Sequence, residues 1–480
     1  MKSKKKLKIA LVSLQYETTR EPPSGLVYIA TYLRDIVGLE ESNIRVLESN
    51  YSNVSEELKK FSPDIIGFTA MSVEYGKVMK FAKEIKNTFH VPFILGGVHI
   101  STLPISLDNV FDIGVIGEGE LTMEELVNLY LKKGEFVKKN LKKIKGIIFF
   151  DNNKIITTEP RLPIKNLDDL PIPDYHFVNK NYFRRQEIPP VMGVGVKCYL
   201  LTSRGCPYKC IFCSATRFWS NIRLHSADYI ARVAKKQIDE FGADHLRIMD
   251  DLFAINPERL KEFKKAFEKY GILDKIKTAE CHARANLMTE ELCKALKDMK
   301  IKTLNFGFES GSDKVLSWLK CDTVSLKMNQ NAILLAKKYN LSVNGSLVYG
   351  SPGETIEDMK KTNEFIDFAI KNKAQNIWSF VLTPLPNTPL WDLALKEGKV
   401  RNDDKMDWSL LSLDNPFFLD KSIDPKEFQK IFLEGRRKLG RLKAKLAIKF
   451  VIKNYGFAMK ILIEEPKYQI TRAYKHIFKK

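Results

Sequence analysis

Three cysteines in one short segment have the clearest chemical potential in this chain: Cys206, Cys210 and Cys213. Their spacing is C-x3-C-x2-C, and Phe212 stands directly before the last of them. Three thiolates can hold three irons of a four-iron cluster and leave the fourth iron without a protein ligand, open to a small molecule. An open iron predicts a centre that carries out chemistry rather than one that only stabilises the fold.

Zinc and disulfide chemistry are the alternatives for these cysteines. A structural zinc site takes four ligands, usually at short spacing, and no fourth ligand stands close after Cys213, so zinc is a less favoured alternative. Only seven cysteines occur in 480 residues, and no hydrophobic secretory segment follows the basic residues 1–6. A disulfide framework is therefore disfavoured, and a reducing cytoplasm is expected. We interpret the other four cysteines as small buried hydrophobic residues: Cys198, Cys281, Cys293 and Cys321.

Alternating strands and helices follow the cysteines and predict the scaffold that positions them. The predicted strands are Tyr199–Thr202, Asp244–Met249, Thr278–His282, Thr303–Phe308, Ser342–Tyr349 and Ile377–Leu382. The predicted helices are Ala227–Glu240, Pro257–Tyr270, Thr289–Met299, Asp313–Leu319, Leu326–Tyr339 and Ile356–Asn372. These units predict a partial (β/α)6 barrel of the TIM type, in which functional groups lie at the carboxyl ends of the strands.

Polar residues cluster at those predicted strand ends. Asp250 and Asp251 follow the second strand, Arg284 follows the third, Glu309 ends the fourth, and Leu347 lies in the fifth. Carboxylates and a guanidinium on one rim suit a zwitterionic amino acid and a ribose diol, because these groups need acceptors and a bidentate donor together. A salt bridge on the rim, for example between Asp251 and Arg284, is the alternative.

The N-terminal third predicts a second α/β sheet, of the doubly wound, Rossmann-like type. Its predicted strands are residues 7–15, Ile44–Glu48, Asp64–Thr69, Pro92–Leu95 and Ile113–Ile116. Its predicted helices are Leu26–Ile36, Ser55–Lys60, Val78–Thr88 and Met123–Leu131. In such sheets ligands bind beyond the carboxyl ends of the strands.

Glycines and short hydroxyls concentrate at these carboxyl ends. Glycine lets the backbone approach a bulky ligand closely, and serine or threonine offers a hydroxyl. These residues fall in four segments, which follow the first, third, fourth and fifth predicted strands. Each segment alone is compatible with an ordinary tight turn, but four such segments on one rim favour a ligand cleft. The candidate ligand contacts are Gly25, Leu26, Thr69, Ser72, Gly96, Gly97, His99, Gly117 and Glu118.

The cysteine motif with its aromatic residue resembles that of the radical S-adenosylmethionine (SAM) superfamily. The resemblance covers about residues 7–400, because the N-terminal sheet is similar to the cobalamin-binding domain that precedes many of these enzymes. It implies that Cys206, Cys210 and Cys213 ligate a [4Fe-4S] cluster whose open iron chelates SAM. It also implies that Phe212 neighbours the adenine, and it strengthens the assignment of Arg284 and Glu309 to SAM.

The resemblance implies cobalamin as a further cofactor, bound without a lower axial histidine. Corrinoid proteins that coordinate cobalt by protein carry an Asp-x-His-x-x-Gly motif after the first strand. The corresponding segment here, Tyr16–Gly25, contains no histidine. His99 comes later in the chain, and for this residue we favour a contact with the cobalamin tail over cobalt ligation.

The activity implied by the resemblance is methylation of an unactivated carbon. In that chemistry a 5′-deoxyadenosyl radical removes a substrate hydrogen, the carbon radical takes methyl from methylcobalamin, and a second SAM restores the methyl group. One alternative keeps both cofactors but uses the radical for a cyclisation or rearrangement. Another is a non-catalytic corrinoid or iron–sulfur sensor.

The net charge of +20 is concentrated at the C-terminal end. Between Arg436 and Lys480 fourteen lysines and arginines stand against two glutamates, and Leu439, Leu442, Leu446 and Phe450 recur at helical spacing. We favour a solvated helix docked on its own protein. Contact with an anionic membrane at the inner face or with an acidic partner is the alternative, and nucleic acid is less favoured. The expected partners are a small-molecule, lipid or peptide substrate and an electron donor of flavodoxin or ferredoxin type.

Domain limits follow from changes in composition along the chain. A hairpin signal at 146–158 and a proline-rich stretch with acidic turn residues mark a connector over 145–190. We therefore predict a cobalamin-binding domain over 7–144, a radical SAM core over 191–400, and a helical region with a basic amphipathic tail over 401–480. No run of 18 or more apolar residues occurs, so no segment is expected to span a bilayer.

Overall fold

The computed structural model describes residues 7–14, 21–49, 52–188, 193–219, 221–403, 405–411 and 415–455. The described residues form two compact units, each drawn from separate stretches of chain. The first unit lies within Met1–Tyr182, Ser203–Val233 and Thr383–Asn415, and the second within Phe183–Thr202, Ala234–Leu382 and Pro416–Lys480. Because these units are discontinuous in sequence, the predicted limits at 144, 190 and 400 stay predictions.

Strands and helices alternate through the N-terminal part of the first unit. In chain order they are β1 Ile9–Ser13, α1 Ser24–Asp35, β2 Ile44–Glu48, α2 Val54–Phe61, β3 Ile65–Thr69, α3 Tyr75–Lys86, β4 Phe93–Gly96, α4 Val98–Thr102, β5 Ile113–Val115, α5 Glu120–Lys133, α6 Lys138–Leu141, β6 Ile147–Asp151 and β7 Lys154–Thr157.

These strands build one sheet in the order β2-β1-β3-β4-β5-β6-β7. The pairs from β2 to β5 are parallel, and every residue of β1 is buried, as expected for a central strand covered on both faces. The chain turns from β2 on one side of β1 to β3 on the other, which makes the β1/β3 ends the topological switch point. The predicted doubly wound sheet is confirmed.

The hairpin that we assigned to the connector extends this sheet instead. β6 pairs antiparallel with β5, and β7 pairs antiparallel with β6. The physical reason is that Ile147, Ile148 and Phe149 are buried, so the hairpin supplies apolar area to the first core.

The remaining elements alternate in the same way. In chain order they are β8 Gln186–Ile188, β9 Gly193–Gly195, β10 Lys197–Leu200, β11 Ser203–Arg204, α7 Ala215–Phe218, β12 Arg223–Leu224, α8 Ala227–Phe241, β13 His245–Ile248, α9 Pro257–Lys269, β14 Thr278–Ala283, α10 Glu290–Asp298, β15 Ile301–Glu309, α11 Asp313–Lys320, α12 Leu326–Lys338, β16 Ser342–Tyr349, α13 Ile356–Lys371, β17 Asn376–Val381, α14 Pro389–Lys396 and α15 Pro425–Lys453.

The second unit contains a six-stranded sheet in the order β10-β13-β14-β15-β16-β17, with all neighbours parallel. Strands that neighbour each other in chain order, joined by helices, confirm the predicted partial barrel. The predicted helix start before α13 is also confirmed, since Thr355 caps it and forms a capping box with Asp358.

The helix α15 packs its first half on the second unit. Phe428, Ile431 and Phe432 are buried, and the Phe432 ring meets the Tyr349 ring edge-on with centroids 5.3 Å apart. The part of the predicted basic tail beyond residue 455 lies outside the described residues. In the described part of the chain, no helix combines the length and the apolar character needed to cross a bilayer.

Candidate functional site

The three motif cysteines lie in a closed loop of the first unit. Cys210 is buried, Cys206 and Cys213 are half-buried, and none of the three is in a disulfide bond with another described residue. The loop leaves β11 at Gly205, whose φ of +105° favours glycine and whose Cβ would lie 2.9 Å from the Asn221 carbonyl oxygen. Antiparallel pairing of β11 with β12 then closes the base of the loop.

Hydrogen bonds order the loop from within and from α14. The Cys213 amide donates to the Cys210 carbonyl at 3.1 Å, and the Leu390 amide donates to the Ile211 carbonyl at 3.2 Å. Arg217 pairs with Asp392 at 3.0 Å. Three thiols on one ordered loop are the donor set that a four-iron cluster with an open iron requires, so these residues fit the cluster.

Glu118 joins the ligand rim of the first sheet to the base of this loop. Its carboxylate accepts hydrogen bonds from Arg204 at 2.5 Å, from Arg223 at 2.9 Å and from the Ile164 amide at 2.7 Å. Burial opposes its ionisation, but the Arg223 hydrogen bond and the Arg204 charge outweigh burial, so the pKa of Glu118 lies below its ordinary value. Glu118 is therefore an ion-pairing group in this structure rather than an open ligand contact.

Open backbone remains at two of the predicted glycines of this rim. Gly25 and Gly117 are exposed, and a Cβ on either would meet nothing within 4 Å. Leu26, in contrast, is buried in the core of the unit. The two glycines leave room for the close approach of a bulky ligand, whereas Leu26 packs α1 against the core of the unit.

The ends of β3 and β4 pack against each other through Gly97. Its φ is +95° with ψ of −176°, and a Cβ there would lie 2.6 Å from Thr69 Oγ1 and 2.8 Å from the Ala70 carbonyl oxygen. Gly96 has no such constraint, because its Cβ would lie 3.7 Å from the nearest atom, the Phe68 carbonyl oxygen. The packing of the two strand ends therefore requires glycine at position 97, whether or not a ligand binds there.

We expect Gly97→Ala to lower the free energy of unfolding by about 2–4 kcal/mol, because it combines a backbone region reserved for glycine with overpacking. Chemical denaturation of the intact chain measures this change. Gly25→Ala is the matched control, since its Cβ enters open space within the first turn of α1 and should leave stability unchanged or slightly raised. Equal stability of the two variants would contradict the packing argument.

His99 is fully buried, with both ring nitrogens occupied. Nδ1 lies 3.1 Å from Ser72 Oγ and Nε2 lies 2.9 Å from Ser106 Oγ. The Ser106 hydroxyl donates to the Leu103 carbonyl at 2.7 Å, so Nε2 donates to Ser106 and Nδ1 accepts from Ser72. Burial lowers the pKa of His99 to about 3, which keeps the ring neutral.

Aromatic rings enclose His99 on both sides. Tyr75 stacks on the imidazole with centroids 3.9 Å apart, and Trp408 meets it edge-on at 4.6 Å. From the sequence we placed His99 against the cobalamin tail, whereas the structure places it beside Trp408. In this structure the two residues share a buried cluster of the first unit, so His99 has no nitrogen available to a ligand.

In the second unit, hydrogen bonds of Asp250 link the end of β13 to the end of β10. Its carboxylate accepts from the Thr202 amide at 2.6 Å and from the Thr202 hydroxyl at 2.5 Å, and it is buried. The backbone oxygen of Asp250 lies 2.8 Å from His282 Nδ1. Asp251, the next residue, is exposed. The predicted acidic pair thus divides into a structural carboxylate and an exposed one.

Glu309 occupies a strained position at the end of β15. Its φ is +61°, the β15–β16 register shifts beside it, and Oε1 accepts from Lys320 Nζ at 2.7 Å. A Cβ on Gly307 would lie 2.3 Å from that carboxylate oxygen, so the glycine makes room for the ion pair. Both partners are buried. Strain of this kind concentrates at functional sites, but the carboxylate already has a cationic partner.

The other two predicted residues of this rim are also largely enclosed. Arg284 is buried and donates to Thr323 Oγ1 at 2.6 Å. Leu347 is fully buried and lies opposite Glu309 in the parallel pairing of β15 and β16. The structure therefore brings Glu309 and Leu347 together, as two strand ends of one rim.

Glu354 is a titratable group of this rim that we did not select from the sequence. Its Oε2 accepts from the Gly350 amide at 2.6 Å and the Ser351 amide at 2.9 Å, and Oε1 has no hydrogen-bond partner among the described residues. Burial raises the pKa of Glu354 to about 7, although the two amide bonds oppose the shift. Glu354 stands one residue before the helix cap Thr355, and in the sequence this position indicated only the start of a helix.

Comparisons with known proteins agree with both halves of this architecture. The model of the B12 binding domain matches residues 13–127, and that of the radical SAM superfamily matches residues 200–366. The chain is 31% identical over 454 residues to the uncharacterized methyltransferase PH0819 of Pyrococcus horikoshii, covering 92% of each chain. It is 25% identical to the anaerobic magnesium-protoporphyrin IX monomethyl ester cyclase of Cereibacter sphaeroides, covering 77% of this chain and 60% of the relative.

A solved structure shares the fold over nearly the whole chain. It is the radical S-adenosylmethionine methyltransferase TsrM from Kitasatospora setae with cobalamin and a [4Fe-4S] cluster bound. The TM-score is 0.66 at 17% sequence identity, with 91% of this chain and 89% of that chain covered. This likeness supports the fold independently of the sequence matches.

Proposed function

The chain belongs to the family of radical SAM enzymes that carry a cobalamin (B12) binding domain, and from that premise we propose that it is a cobalamin-dependent methyltransferase of an unactivated carbon. Its cofactors are a [4Fe-4S] cluster, SAM and cobalamin. The observation that carries the proposal is that the three-cysteine loop folds into the same compact unit as the Rossmann-like sheet.

The cofactors supply the difficult chemistry when bound, namely an adenosyl radical and a transferable methyl group, and the protein supplies position. Cys206, Cys210 and Cys213 hold the cluster, and Phe212 borders the SAM adenine. Gly25 and Gly117 leave backbone open on the rim where cobalamin binds. His99 is neutral, and because both of its ring nitrogens are bonded to serine hydroxyls it would supply no imidazole ligand to cobalamin.

Strand-end residues of the second unit contact SAM in this proposal. Asp251 is exposed at the end of β13 and can accept from an amino group or a ribose hydroxyl. Arg284 and Glu309 need to exchange or share their present partners, Thr323 and Lys320, to reach a ligand. Asp250 keeps the β10 and β13 ends in place.

Methyl transfer is favoured over cyclisation by the relative that this chain matches along nearly its full length. That relative is named a methyltransferase, whereas the chain spans only 60% of the cyclase that it also resembles. The substrate we propose is a small molecule. An electron donor of flavodoxin or ferredoxin type reduces the cluster.

Anaerobically reconstituted protein tests the proposal when supplied with SAM, reduced flavodoxin and a metabolite extract as the substrate source. We expect iron–sulfur and corrin absorption, release of 5′-deoxyadenosine, and a product that takes a trideuteromethyl group from SAM labelled in its methyl. A product without added methyl would favour the cyclisation. Both cofactors bound with no 5′-deoxyadenosine would favour a sensor, and failure to take up cobalamin would contradict the assignment of the first unit.

The exposed end of α15 supports a second partner, an anionic lipid surface. Ile448, Val451 and Ile452 recur on one face of α15 with exposures of 62%, 45% and 74%, and Tyr455, two residues after the helix ends, is 65% exposed. Exposed lysines flank this stripe at Lys445, Lys449 and Lys453. A helix with an apolar stripe beside lysines can bury the stripe in the interface while the lysines meet lipid phosphates. We infer a peripheral contact with the inner face of the membrane.

We expect the double substitution Ile448→Glu with Ile452→Glu to weaken binding to phosphatidylglycerol-containing vesicles at least about tenfold, because two exposed isoleucines can then no longer enter the lipid interface. Co-sedimentation measures the binding. The control is Lys430→Glu, which makes the same change in net charge at an exposed position in the first half of α15. Equal loss in the control, no binding by the unchanged protein, or self-association through this face in size-exclusion chromatography would contradict the inference.

A further inference from the structure

One buried ion-pair network connects the cobalamin rim with the cluster loop inside the first unit. It contains two carboxylates, Glu118 and Glu120, and two guanidiniums, Arg204 and Arg223. Arg204 pairs with Glu118 at 2.5 Å and with Glu120 at 2.6 Å, and Arg223 pairs with Glu118 at 2.9 Å. All four side chains are at most 13% exposed. The network is therefore formally neutral and largely shielded from water.

The two arginines lie at the base of the cysteine loop. Arg204 and Arg223 face each other in the β11–β12 pairing, which closes the loop that holds the three cysteines. Arg204 stands two residues before Cys206. The Glu118 carboxylate therefore contacts both strands at the base of the loop at once, since Oε1 accepts from Arg204 and from Arg223, and Oε2 accepts from Arg223 as well.

Glu118 itself lies on the rim of the first sheet. It follows Gly117, the open glycine after β5, and precedes α5. Its second oxygen also accepts from the Ile164 amide, and Arg223 donates to the Ile164 carbonyl at 2.6 Å. The connector, the rim and the cluster loop thus meet at this one carboxylate. β11 and β12 contribute only two residues each and depend on such side-chain contacts to stay paired.

We propose that Glu118 is a positioning residue that fixes the cysteine loop on the cobalamin-binding sheet, so that retention of the cluster depends on it. The inference rests on the proposed function for the identity of the cluster. Residues behind the ligands of a metal site orient those ligands, and their loss typically weakens metal binding 10–100-fold. We therefore expect Glu118→Gln to speed chelator-induced loss of the cluster by about tenfold.

A measurement on the protein without its cluster also tests whether Glu118 positions the cysteine loop. In the apo protein we expect iodoacetamide to alkylate Cys206 and Cys213 several-fold faster in Glu118→Gln, as measured by peptide mass spectrometry, because the loop base opens. Glu125→Gln is the matched control: this glutamate also lies on α5 and pairs with an arginine, Arg161 at 2.7 Å, away from the loop. Cluster loss and alkylation at unchanged rates in Glu118→Gln would overturn the proposal.

A neutral double variant separates positioning from charge imbalance. Glu118→Gln leaves one carboxylate for two buried guanidiniums, whereas Glu118→Gln with Arg223→Gln restores neutrality. We expect the double variant to recover the thermal midpoint but to keep the fast cluster loss. Recovery of cluster retention together with stability would overturn the proposal, and so would a double variant that fails to fold. If the unchanged protein takes up no cluster, the proposed function fails, while the alkylation result still decides the role of Glu118.

Discussion

Replacing Cys210 by serine is expected to abolish both the iron–sulfur absorption and the release of 5′-deoxyadenosine, down to the level of a reaction without enzyme. Cys210 is the buried member of the three motif thiols, and its backbone carbonyl accepts from the Cys213 amide. A cluster held by three thiolates cannot lose one of them and keep its open iron in place. Anaerobic reconstitution, iron and sulfide analysis, and chromatography of the adenosine products measure the effect. Cys206→Ser and Cys213→Ser should behave in the same way.

Cys321→Ser is the control for this series. Cys321 is an exposed thiol of the second unit, after α11, so its replacement removes a sulfur without touching the loop. We expect normal cluster content and normal SAM cleavage. A Cys210→Ser protein that keeps a full four-iron cluster would refute the ligand assignment. Zinc in place of iron in protein purified under anaerobic conditions would favour the alternative that the sequence left open.

Lys320→Met should lower the free energy of unfolding by about 3–5 kcal/mol, because it leaves the Glu309 carboxylate buried without its cation. The ion pair is 2.7 Å long, and its side chains are 6% and 7% exposed. Chemical denaturation measures the change. Lys314→Met is the matched control: Lys314 lies on the same helix and pairs with Asp358 at 3.4 Å, but its side chain is 61% exposed. We expect a cost below about 1 kcal/mol there.

The double variant Glu309→Gln with Lys320→Met tests whether Glu309 also serves SAM. Removing both charges should restore most of the lost stability, since neither charge then remains buried alone. If Glu309 contacts SAM, the stable double variant should still release little 5′-deoxyadenosine. Full activity in the double variant would limit Glu309 to the ion pair. Unchanged stability of Lys320→Met would contradict the burial argument itself.

Local pattern was sufficient to predict most of the strands and helices. β2 and β16 have the predicted bounds, and the other strands of both sheets differ from their predictions by only a few residues. Parallel strands buried on both faces are continuous apolar runs, and this pattern depends only on neighbouring residues. The motif cysteines were equally evident, because spacing within one loop is a local property.

The roles of the rim residues could not be predicted in the same way. Glu118 meets Arg204 and Arg223, and His99 meets Trp408, across long separations in sequence. Glu309 meets Lys320 from a position of positive φ at the end of β15, which no local pattern predicts. The same polar residues at strand ends are compatible with ligand contacts and with ion pairs, and only the partner distinguishes the two.

The sequence by itself determined that three thiols share one loop, that two α/β sheets follow each other, and that the chain resembles radical SAM enzymes with a cobalamin domain. The tertiary structure decided that this loop folds with the first sheet, that the 146–158 hairpin extends that sheet, and that Glu118, His99 and Glu309 already have protein partners. The physical reason is the range of the interactions. Hydrophobic periodicity and ligand spacing act between neighbours in the chain, whereas burial and ion pairing depend on which distant segments the fold brings together.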